Sequence, residues 1–405
     1  MTGAAAELAA WAAALEPTEE DLRLAQRSIV DTVAVALAAT RDPIGELAPQ
    51  LGQAGRWATI AHVLDFDDLH IESTTHVSAV CVPVALAAGG DARAYLAGAG
   101  VMARLGTALG WPHYERGWHA TCTAGAPAAA VTAAVAMGGG PEEIAAAMAL
   151  ALPAAGGVQR AFGTASKSLQ VGFAADAGVR AARLALAGAS TDPSALEQWL
   201  GLVGGAVERL VVVDGMAVPG GLAIKLYPCC YALQRPMSAA RELRGSAGGA
   251  ERVVVRTPAG TLQPLIHARP TTGLEGKFSL QYGVAAALLD EHPGLASFTD
   301  EAVARPVARE LLARVEVDAT PGGDWLLAGD VTVELTRAGG VQRAQLELPP
   351  GAPGRPPTEA QLRAKVSDCA GAFADAVLAL GWEDAASFLD TQLGPVTGAA
   401  RPARR

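Results

Sequence analysis

Long runs of alanine and glycine are the feature that most constrains the fold of this chain. Residues 124–137 and 144–158 consist mostly of small apolar side chains. Helices with such side chains pack closely, whereas a β-sandwich core needs larger β-branched and aromatic residues. The 405 residues are 51% hydrophobic but only 5% aromatic, and 46 of them are glycine. The sequence therefore predicts a mostly α-helical protein.

The chain is too long for a single hydrophobic core to be the expected arrangement. Its pattern changes after about residue 245, where the β-branched run 252–257 predicts a strand. Residues 331–335 and 341–348 flank Ala338-Gly339-Gly340, which indicates a β-hairpin. We predict a large helical domain in residues 1–222, a smaller α+β domain in 223–356, and C-terminal helices in 357–405 that return to the helical domain.

Several residues mark the starts of helices. Thr18 and Asp21 form a capping-box pattern, and Pro141 and Pro193 occupy positions typical of a first helical turn. A helical period over 274–290 and alternation over 313–317 predict a helix and a strand.

Further helices are predicted at the C-terminal end of the chain. They cover 359–373 and a short segment near Ser387, and they are followed by a solvated tail at 398–405.

The charge and the cysteines limit the classes of function. A formal net charge of -10 disfavours binding to nucleic acid or to an anionic membrane, because both need clustered basic residues. The apolar runs are shorter than the roughly 20 residues that span a bilayer. Residues 1–22 contain no Lys or Arg, so they lack the positive region that begins a secretory signal. Five cysteines without a CxxC pair predict neither a disulfide framework nor a zinc module. We expect a cytoplasmic protein.

The densest group of ionisable side chains lies in the segment AHVLDFDDLHIESTTH. Such groups are costly to bury between apolar segments, so their concentration indicates a functional site. The alternative is a solvated loop in which aspartates cap a helix. The residues are His62, Asp65, Asp67, Asp68, His70 and His76.

Three further segments carry isolated candidates. In GWHATCTAG, His119 precedes a helix whose N-terminus favours a substrate carboxylate, although it could simply pack on Trp118. Lys167 in FGTASKSLQVG and Lys225 in AIKLYPCCYA lie among apolar residues, where a lysine needs an anionic partner or changes its pKa. Most lysines are nevertheless only solvated.

A fifth segment, LEGKFSLQYGVAAALL, lies in the α+β region. It contains Lys277 and Tyr282 ahead of an apolar helix. Tyr282 could donate a hydrogen bond or a proton, but a tyrosine in the core is the commoner case.

These five segments, in this order, resemble the MmgE/PrpD family. The family motifs AHxLDFDD, GWHxTxT, FGTxxKPLHAG, KxYPxC and LExKFSLxY correspond to AHVLDFDD, GWHATCT, FGTASKSLQVG, KLYPCC and LEGKFSLQY here. Each motif is weak by itself, but five in sequence over residues 60–290 are specific. The resemblance implies a helical domain built from both chain ends and an inserted lid domain, with the active site in the cleft between them.

The resemblance also implies a chemistry. Members of the family act beside a carboxylate of a small di- or tricarboxylic acid, without a metal or other cofactor, and are usually homodimers. His119 would be the proton shuttle, Lys167 and Lys225 would anchor the carboxylate, Asp65 would orient His76 or a substrate hydroxyl, and Tyr282 would enter from the lid as an acid. The matching catalytic positions are Asp65, His76, His119, Lys167, Lys225 and Tyr282.

The chain departs from the family pattern at five positions, two of which are prolines that are missing after His76 and His119. Leu69 stands where threonine is common, Gln170 replaces the histidine of KPLHAG, and Ser168 replaces its proline. We expect Leu69, Gln170 and Cys230 to contact substrate beside the two lysines. Because the polar side chains at these positions differ from those of the family, the known substrates of the family cannot be assigned directly to this chain.

The expected activity is that of a lyase similar to 2-methylcitrate dehydratase or cis-aconitate decarboxylase. An epimerase similar to iminodisuccinate epimerase is the first alternative, and an inactive relative is the second. The aspartates also resemble the magnesium site of isoprenoid synthases, but no second metal-binding motif accompanies them. A GxGxxA-like run at Gly98 lies in a predicted helix, which argues against a dinucleotide site.

Overall fold

The protein is described here from a computed structural model. The structure describes residues 3–192, 194–212, 215–246, 249–323 and 325–394. The helix start predicted at Pro193 and the tail 398–405 lie outside these residues. Most of the described chain is helical and a small four-stranded sheet completes it, which confirms the prediction of a mostly α-helical protein.

Ten α-helices of the described residues precede residue 220. The second of them begins with the predicted capping box, in which Thr18 Oγ1 accepts from Asp21 N. The predicted start at Pro141 is also confirmed. The helices are α1 (Ala4–Ala14), α2 (Glu19–Ala38), α3 (Ile44–Leu47), α4 (Gln53–Val63), α5 (Ser78–Ala87), α6 (Ala92–Glu115), α7 (Ala120–Ala136), α8 (Pro141–Ala151), α9 (Ser166–Leu186) and α10 (Ala195–Leu202).

Helix α7 is the centre of this helical part. All its residues except Ala136 are buried, and it packs against α6, α8 and α9. A β-carbon at Gly178 would clash with Ala129, and one at Gly98 would clash with Thr132. The small residues are therefore needed for helices this close together, which is the physical reason for the composition.

The remaining elements comprise the sheet with its helices and then a C-terminal helical segment. The sheet has the order β2-β1-β3-β4, with β1 and β2 parallel and the other pairs antiparallel. The elements are α11 (Gln234–Glu242), β1 (Arg252–Pro258), α12 (Ala259–Leu262), α13 (Gly273–Gly276), α14 (Leu280–Leu289), α15 (Asp300–Ala304), α16 (Pro306–Leu312), β2 (Val315–Thr320), β3 (Val331–Arg337), β4 (Gly340–Leu346), α17 (Glu359–Ala370), α18 (Ala374–Leu378) and α19 (Trp382–Leu393).

The predicted hairpin is confirmed as β3 and β4, and the strand at 252–257 is confirmed as β1. The single helix predicted over 274–290 is wrong, because Ser279 caps a new helix by accepting from Tyr282 N. The break between α13 and α14 leaves Lys277 and Phe278 outside both helices.

Two hydrophobic clusters fill the interior. One joins residues 4–222 to residues 366–389, and the other joins residues 223–344 to Leu69 and Phe162. The boundaries at 222 and 356 and the lid arrangement remain predictions. Among the described residues, no helix is both long and apolar enough to cross a membrane.

Candidate active site

A small cavity lies where the two hydrophobic clusters meet, and about 20 Å³ of it is open to a water-sized molecule. Residues of the helical part form most of its wall, and residues of the sheet-containing part complete it. The lining residues are Asp65, Leu69, Thr74, His76, Tyr114, His119, Thr121, Phe162, Lys167, Cys230, Tyr231, Phe278 and Leu326.

Asp65 follows the end of α4 in an unusual backbone conformation. Its φ angle is 51°, in the left-handed region that a non-glycine residue rarely adopts. Lys225 Nζ donates to the Asp65 carbonyl at 2.8 Å and to its Oδ1 at 2.9 Å. These bonds hold a conformation that costs of the order of 1–3 kcal/mol.

Lys167, in the first turn of α9, brings a second ammonium group to the same carboxylate. Its Nζ lies 3.0 Å from Asp65 Oδ1 and 2.6 Å from His62 Nε2. Burial alone would raise the pKa of Asp65, but Lys167 and Lys225 outweigh it, so the net pKa is lowered and the carboxylate stays ionised.

Asp67 connects two imidazoles. Its Oδ2 lies 2.8 Å from His62 Nδ1, which is a hydrogen bond. The same oxygen lies 2.9 Å from His76 Nδ1, although that contact is not aligned as a hydrogen bond. Burial would raise the pKa of Asp67, but the two histidines lower it overall.

The same burial keeps both histidines neutral. It lowers the pKa of His62, and it lowers the pKa of His76 to about 3, although Asp67 opposes both shifts. With Nδ1 of His76 turned toward Asp67, the lone pair of the neutral ring is on Nε2, which lies 3.5 Å from Asp65 Oδ1 and can accept a proton.

His119 stands at the N-terminus of α7 and contributes a third neutral imidazole. Its Nδ1 lies 3.3 Å from Gln170 Oε1 and 3.2 Å from Cys122 Sγ. Its Nε2 is buried and has no hydrogen-bond partner. Burial, with Lys167 nearby, holds the pKa of His119 well below its usual value. An uncharged, unpartnered nitrogen beside Lys167 is suited to take a proton from a substrate.

The structure brings together Asp65, His76, His119 and Lys167 of the predicted catalytic residues. Leu69 and Cys230 also line the cavity, as expected of substrate-binding residues.

Three predicted residues lie elsewhere. Lys225 is fully buried behind Asp65, so it holds Asp65 and does not face the cavity. Gln170 is also absent from the lining, because its Oε1 is occupied by Val158 N and His119 Nδ1. Tyr282 is fully buried in the second cluster, where its hydroxyl donates to the Ser297 carbonyl at 2.5 Å. In this structure it is a core tyrosine and does not serve as an acid at the cavity.

His62 and Asp67 were not predicted to have roles in the site, although both lie in the predicted cluster of ionisable residues. A usable signal was present in the lysines: the chain has only four, against 27 arginines. All four are buried, and all four contact the segment that contains these residues. Because arginine supplies nearly all the other positive charges of this chain, the few lysines indicate positions where a compact ammonium group is needed and a guanidinium would not fit.

His62, Asp67 and His76 could hold a metal ion by proximity, since one ligand atom from each lies within 4.8 Å of the others. The ammonium of Lys167, 2.6 Å from His62 Nε2, opposes a further cation there. The hydrogen bond between His62 and Asp67 already accounts for two of the three donor atoms.

Comparisons with known proteins match most of this chain. Family models described as the MmgE/PrpD N-terminal and C-terminal domains match residues 51–207 and 227–389. A cis-aconitate decarboxylase of Aspergillus terreus (strain NIH 2624 / FGSC A1156) is 25% identical over an alignment of 463 residues including gaps. The alignment covers 96% of this chain and 94% of the relative. A second, of Aspergillus terreus, is 24% identical over 471 residues, covering 98% and 95%.

Proposed function

This chain belongs to the MmgE/PrpD family, and on that premise we propose that it is a lyase acting at the carbon next to a carboxylate of a small di- or tricarboxylic acid. The family and the decarboxylases that align with nearly the whole chain support lyase-type chemistry. The choice between dehydration and decarboxylation belongs to the proposal.

One observation carries this proposal: two neutral imidazoles and one ammonium group line the same cavity. Removing a proton beside a carboxylate, or losing carbon dioxide from it, builds negative charge that must be stabilised. Lys167 can supply this stabilisation, while Nε2 of His119 or of His76 accepts or returns a proton. The buried site strengthens each of these electrostatic interactions.

Lys167 is well suited to bind the carboxylate. An ammonium group has three N–H donors. Two donors of Lys167 are directed to Asp65 and His62, which leaves the third for a ligand. Asp65 fixes the ammonium in place. Lys225 contributes indirectly, by holding Asp65.

An epimerase similar to iminodisuccinate epimerase is the second candidate. Two neutral imidazoles on one cavity are also what a two-base proton exchange requires, because one nitrogen removes the proton and the other returns it. In that case the substrate would exchange its α-proton with solvent without losing carbon dioxide or water.

Proton NMR in deuterated buffer tests the proposal and separates its branches. Wild type and Lys167→Ala would each be incubated with citrate, 2-methylcitrate, cis-aconitate and iminodisuccinate. We expect deuterium at a carbon next to a carboxylate, or a new alkene signal, with wild type only. No change with any of these acids, from a folded wild type, would contradict the proposal and favour an inactive relative.

We also propose a homodimer, as the family resemblance implies. Sedimentation equilibrium should give twice the mass of one chain. A monomer at micromolar concentration would refute this part without affecting the chemistry.

A further inference from the structure

All four lysines of the chain converge on one short segment. Lysine is rarely buried, yet Lys167, Lys225, Lys277 and Lys365 are 6%, 0%, 3% and 5% exposed. They come from residues far apart in sequence and from both hydrophobic parts of the molecule. Each directs its ammonium to residues 64–66.

Three successive backbone carbonyls of this segment each accept a hydrogen bond from a different lysine. Lys277 donates to Leu64 O at 2.7 Å, Lys225 to Asp65 O at 2.8 Å and Lys365 to Phe66 O at 2.7 Å. Lys167 differs from the others because it donates to no carbonyl of this segment: its partners are the side chains of Asp65 and His62, and it lines the cavity.

The position of the segment explains why ammonium groups are needed. It follows the C-terminus of α4, where backbone carbonyls lack helical partners and the helix dipole is negative. It also contains the left-handed residue Asp65, whose conformation must be held by its surroundings. A lysine ammonium is a compact donor that reaches a single carbonyl, whereas the broad guanidinium of arginine would need more space.

We infer that Lys277 and Lys365 are positioning residues for Asp65: they fix the carbonyls on either side of it, so that its carboxylate stays between Lys167 and Lys225. Neither contacts the cavity. Each also has a second partner, since Lys277 donates to Pro228 O at 2.6 Å and Lys365 pairs with Asp31 at 2.6 Å. A purely structural role would use only these second partners.

Lysine-selective NMR can separate the two roles without any substrate. Protein labelled with ¹³C at lysine Cε should give four signals, and each Lys→Met variant assigns one by its loss. We expect Lys277→Met and Lys365→Met to shift the signals of Lys167 and Lys225. Arg363→Met, on the same helix as Lys365 but exposed, should leave all four unchanged.

Lys277→Arg serves as a second variant. It retains the positive charge, so a shift of the Lys167 signal in this protein reports altered geometry and not lost charge. It also preserves a cation at the site if Lys277→Met fails to fold. Unchanged Lys167 and Lys225 signals in folded Lys277→Arg and Lys365→Met would overturn the inference.

The kinetic part of the inference rests on the proposed function. With an acid that wild type turns over, Lys277→Arg and Lys365→Met should lower kcat by about tenfold or more while KM changes by less than about threefold. A kcat equal to that of wild type would overturn the positioning role. If wild type turns over no acid, the proposed function fails, while the NMR result still decides the role of the lysines.

Discussion

Asp65 holds a charge in a place where a carboxylate is stable only because two ammonium groups meet it. Its side chain is 2% exposed, and Oδ1 accepts from both Lys167 and Lys225. Removing one member of a buried ion pair leaves the other charge without compensation, which costs far more than the pair gains from being formed.

Asp65→Asn is therefore expected to lower the free energy of unfolding by about 3–5 kcal/mol. The loss arises because Lys225 stays buried without a carboxylate. Asp318→Asn is the matched control, since its ion pair with Arg256 is about half exposed and solvent screening should make its loss much smaller. Urea denaturation measures both, and equal losses in the two variants would contradict this account.

Gln170 determines which nitrogen of His119 carries the proton. Val158 N donates to Gln170 Oε1 at 3.0 Å, so this atom must be the carbonyl oxygen of the amide. The same oxygen lies 3.3 Å from His119 Nδ1, which must therefore be protonated. The lone pair is then on Nε2, the atom that has no partner. Gln170 thus contacts the ring nitrogen of His119 that does not face the cavity and leaves Nε2 available as the proposed base.

Gln170→Glu should raise the pKa of His119, because a carboxylate at Nδ1 stabilises the imidazolium. His119 acts as a base only when neutral, so the acidic limb of the kcat profile should move to higher pH by about one unit. Measuring kcat between pH 4 and 8 tests this, with the exposed Gln50→Glu as control. Superimposable profiles would show that Gln170 does not govern His119.

Among the secondary-structure elements, the loop between α4 and α5 carries a second buried carboxylate with a different environment. Asp68 Oδ1 accepts from Ser78 N at 3.1 Å, which anchors the first turn of α5. Burial, with Asp31 and Asp67 nearby, raises the pKa of Asp68 to about 7, although bonds from Ser78 oppose the shift. Adjacent aspartates in one loop therefore differ in charge near neutral pH.

This difference predicts a pH-dependent stability. The pKa of Asp68 in the folded protein lies above its value in the unfolded chain, so the protonated carboxyl stabilises the fold. This contribution to the free energy of unfolding is fully present below about pH 4 and is lost as pH rises through about 7. Asp68→Asn resembles the protonated form at every pH. Relative to this variant, wild type should lose up to about 4 kcal/mol of unfolding free energy between pH 4 and 8. A constant difference in chemical denaturation across this range would be the contrary result.

Periodicity and end signals were sufficient to predict most of the elements. The capping box at Thr18 and the hairpin around Gly340 depend on neighbouring residues only, and both were predicted correctly. The break at Ser279 was missed because the apolar residues on both sides keep a helical period, and a local cap interrupts it.

The site was harder to predict because its contacts join distant residues. Motif positions identified Asp65, His76, His119 and Lys167, which the structure brings together. They could not show that Lys225 and Gln170 act from behind the cavity, or that Tyr282 belongs to the core. Which face a side chain presents depends on how the helices pack, and the alanine-rich segments contain few signals for that.

At the scale of the whole molecule, the cavity depends on contacts between both parts of the chain. Phe278 and Leu326 close it from the sheet-containing part, while Asp65 and His119 belong to the helical part. Substrate entry would require these walls to separate, which is consistent with the lid that we predict. The position of Asp65 also depends on the C-terminal helix α17, through Lys365.

The ion pair between Lys365 and Asp31 joins the C-terminal segment to α2, and a double-mutant cycle measures how strongly. Both residues are buried and their charged atoms lie 2.6 Å apart. Lys365→Met should cost about 3–5 kcal/mol, because Asp31 is left as an unpaired buried carboxylate. In Asp31→Asn/Lys365→Met no such charge remains, so part of that loss should be recovered, giving a coupling energy of about 2 kcal/mol. Some loss should persist, because the Phe66 carbonyl still lacks its donor.

The exposed pair between Arg363 of α17 and Asp375 of α18 provides the control cycle. Its side chains are 65% and 94% exposed, so its coupling should be below about 0.5 kcal/mol. Urea denaturation of both sets of variants gives the two coupling energies. If Lys365 and Asp31 were additive like the exposed pair, this ion pair would not help to hold the C-terminal segment against α2. The ammonium would then serve only the carbonyl beside Asp65.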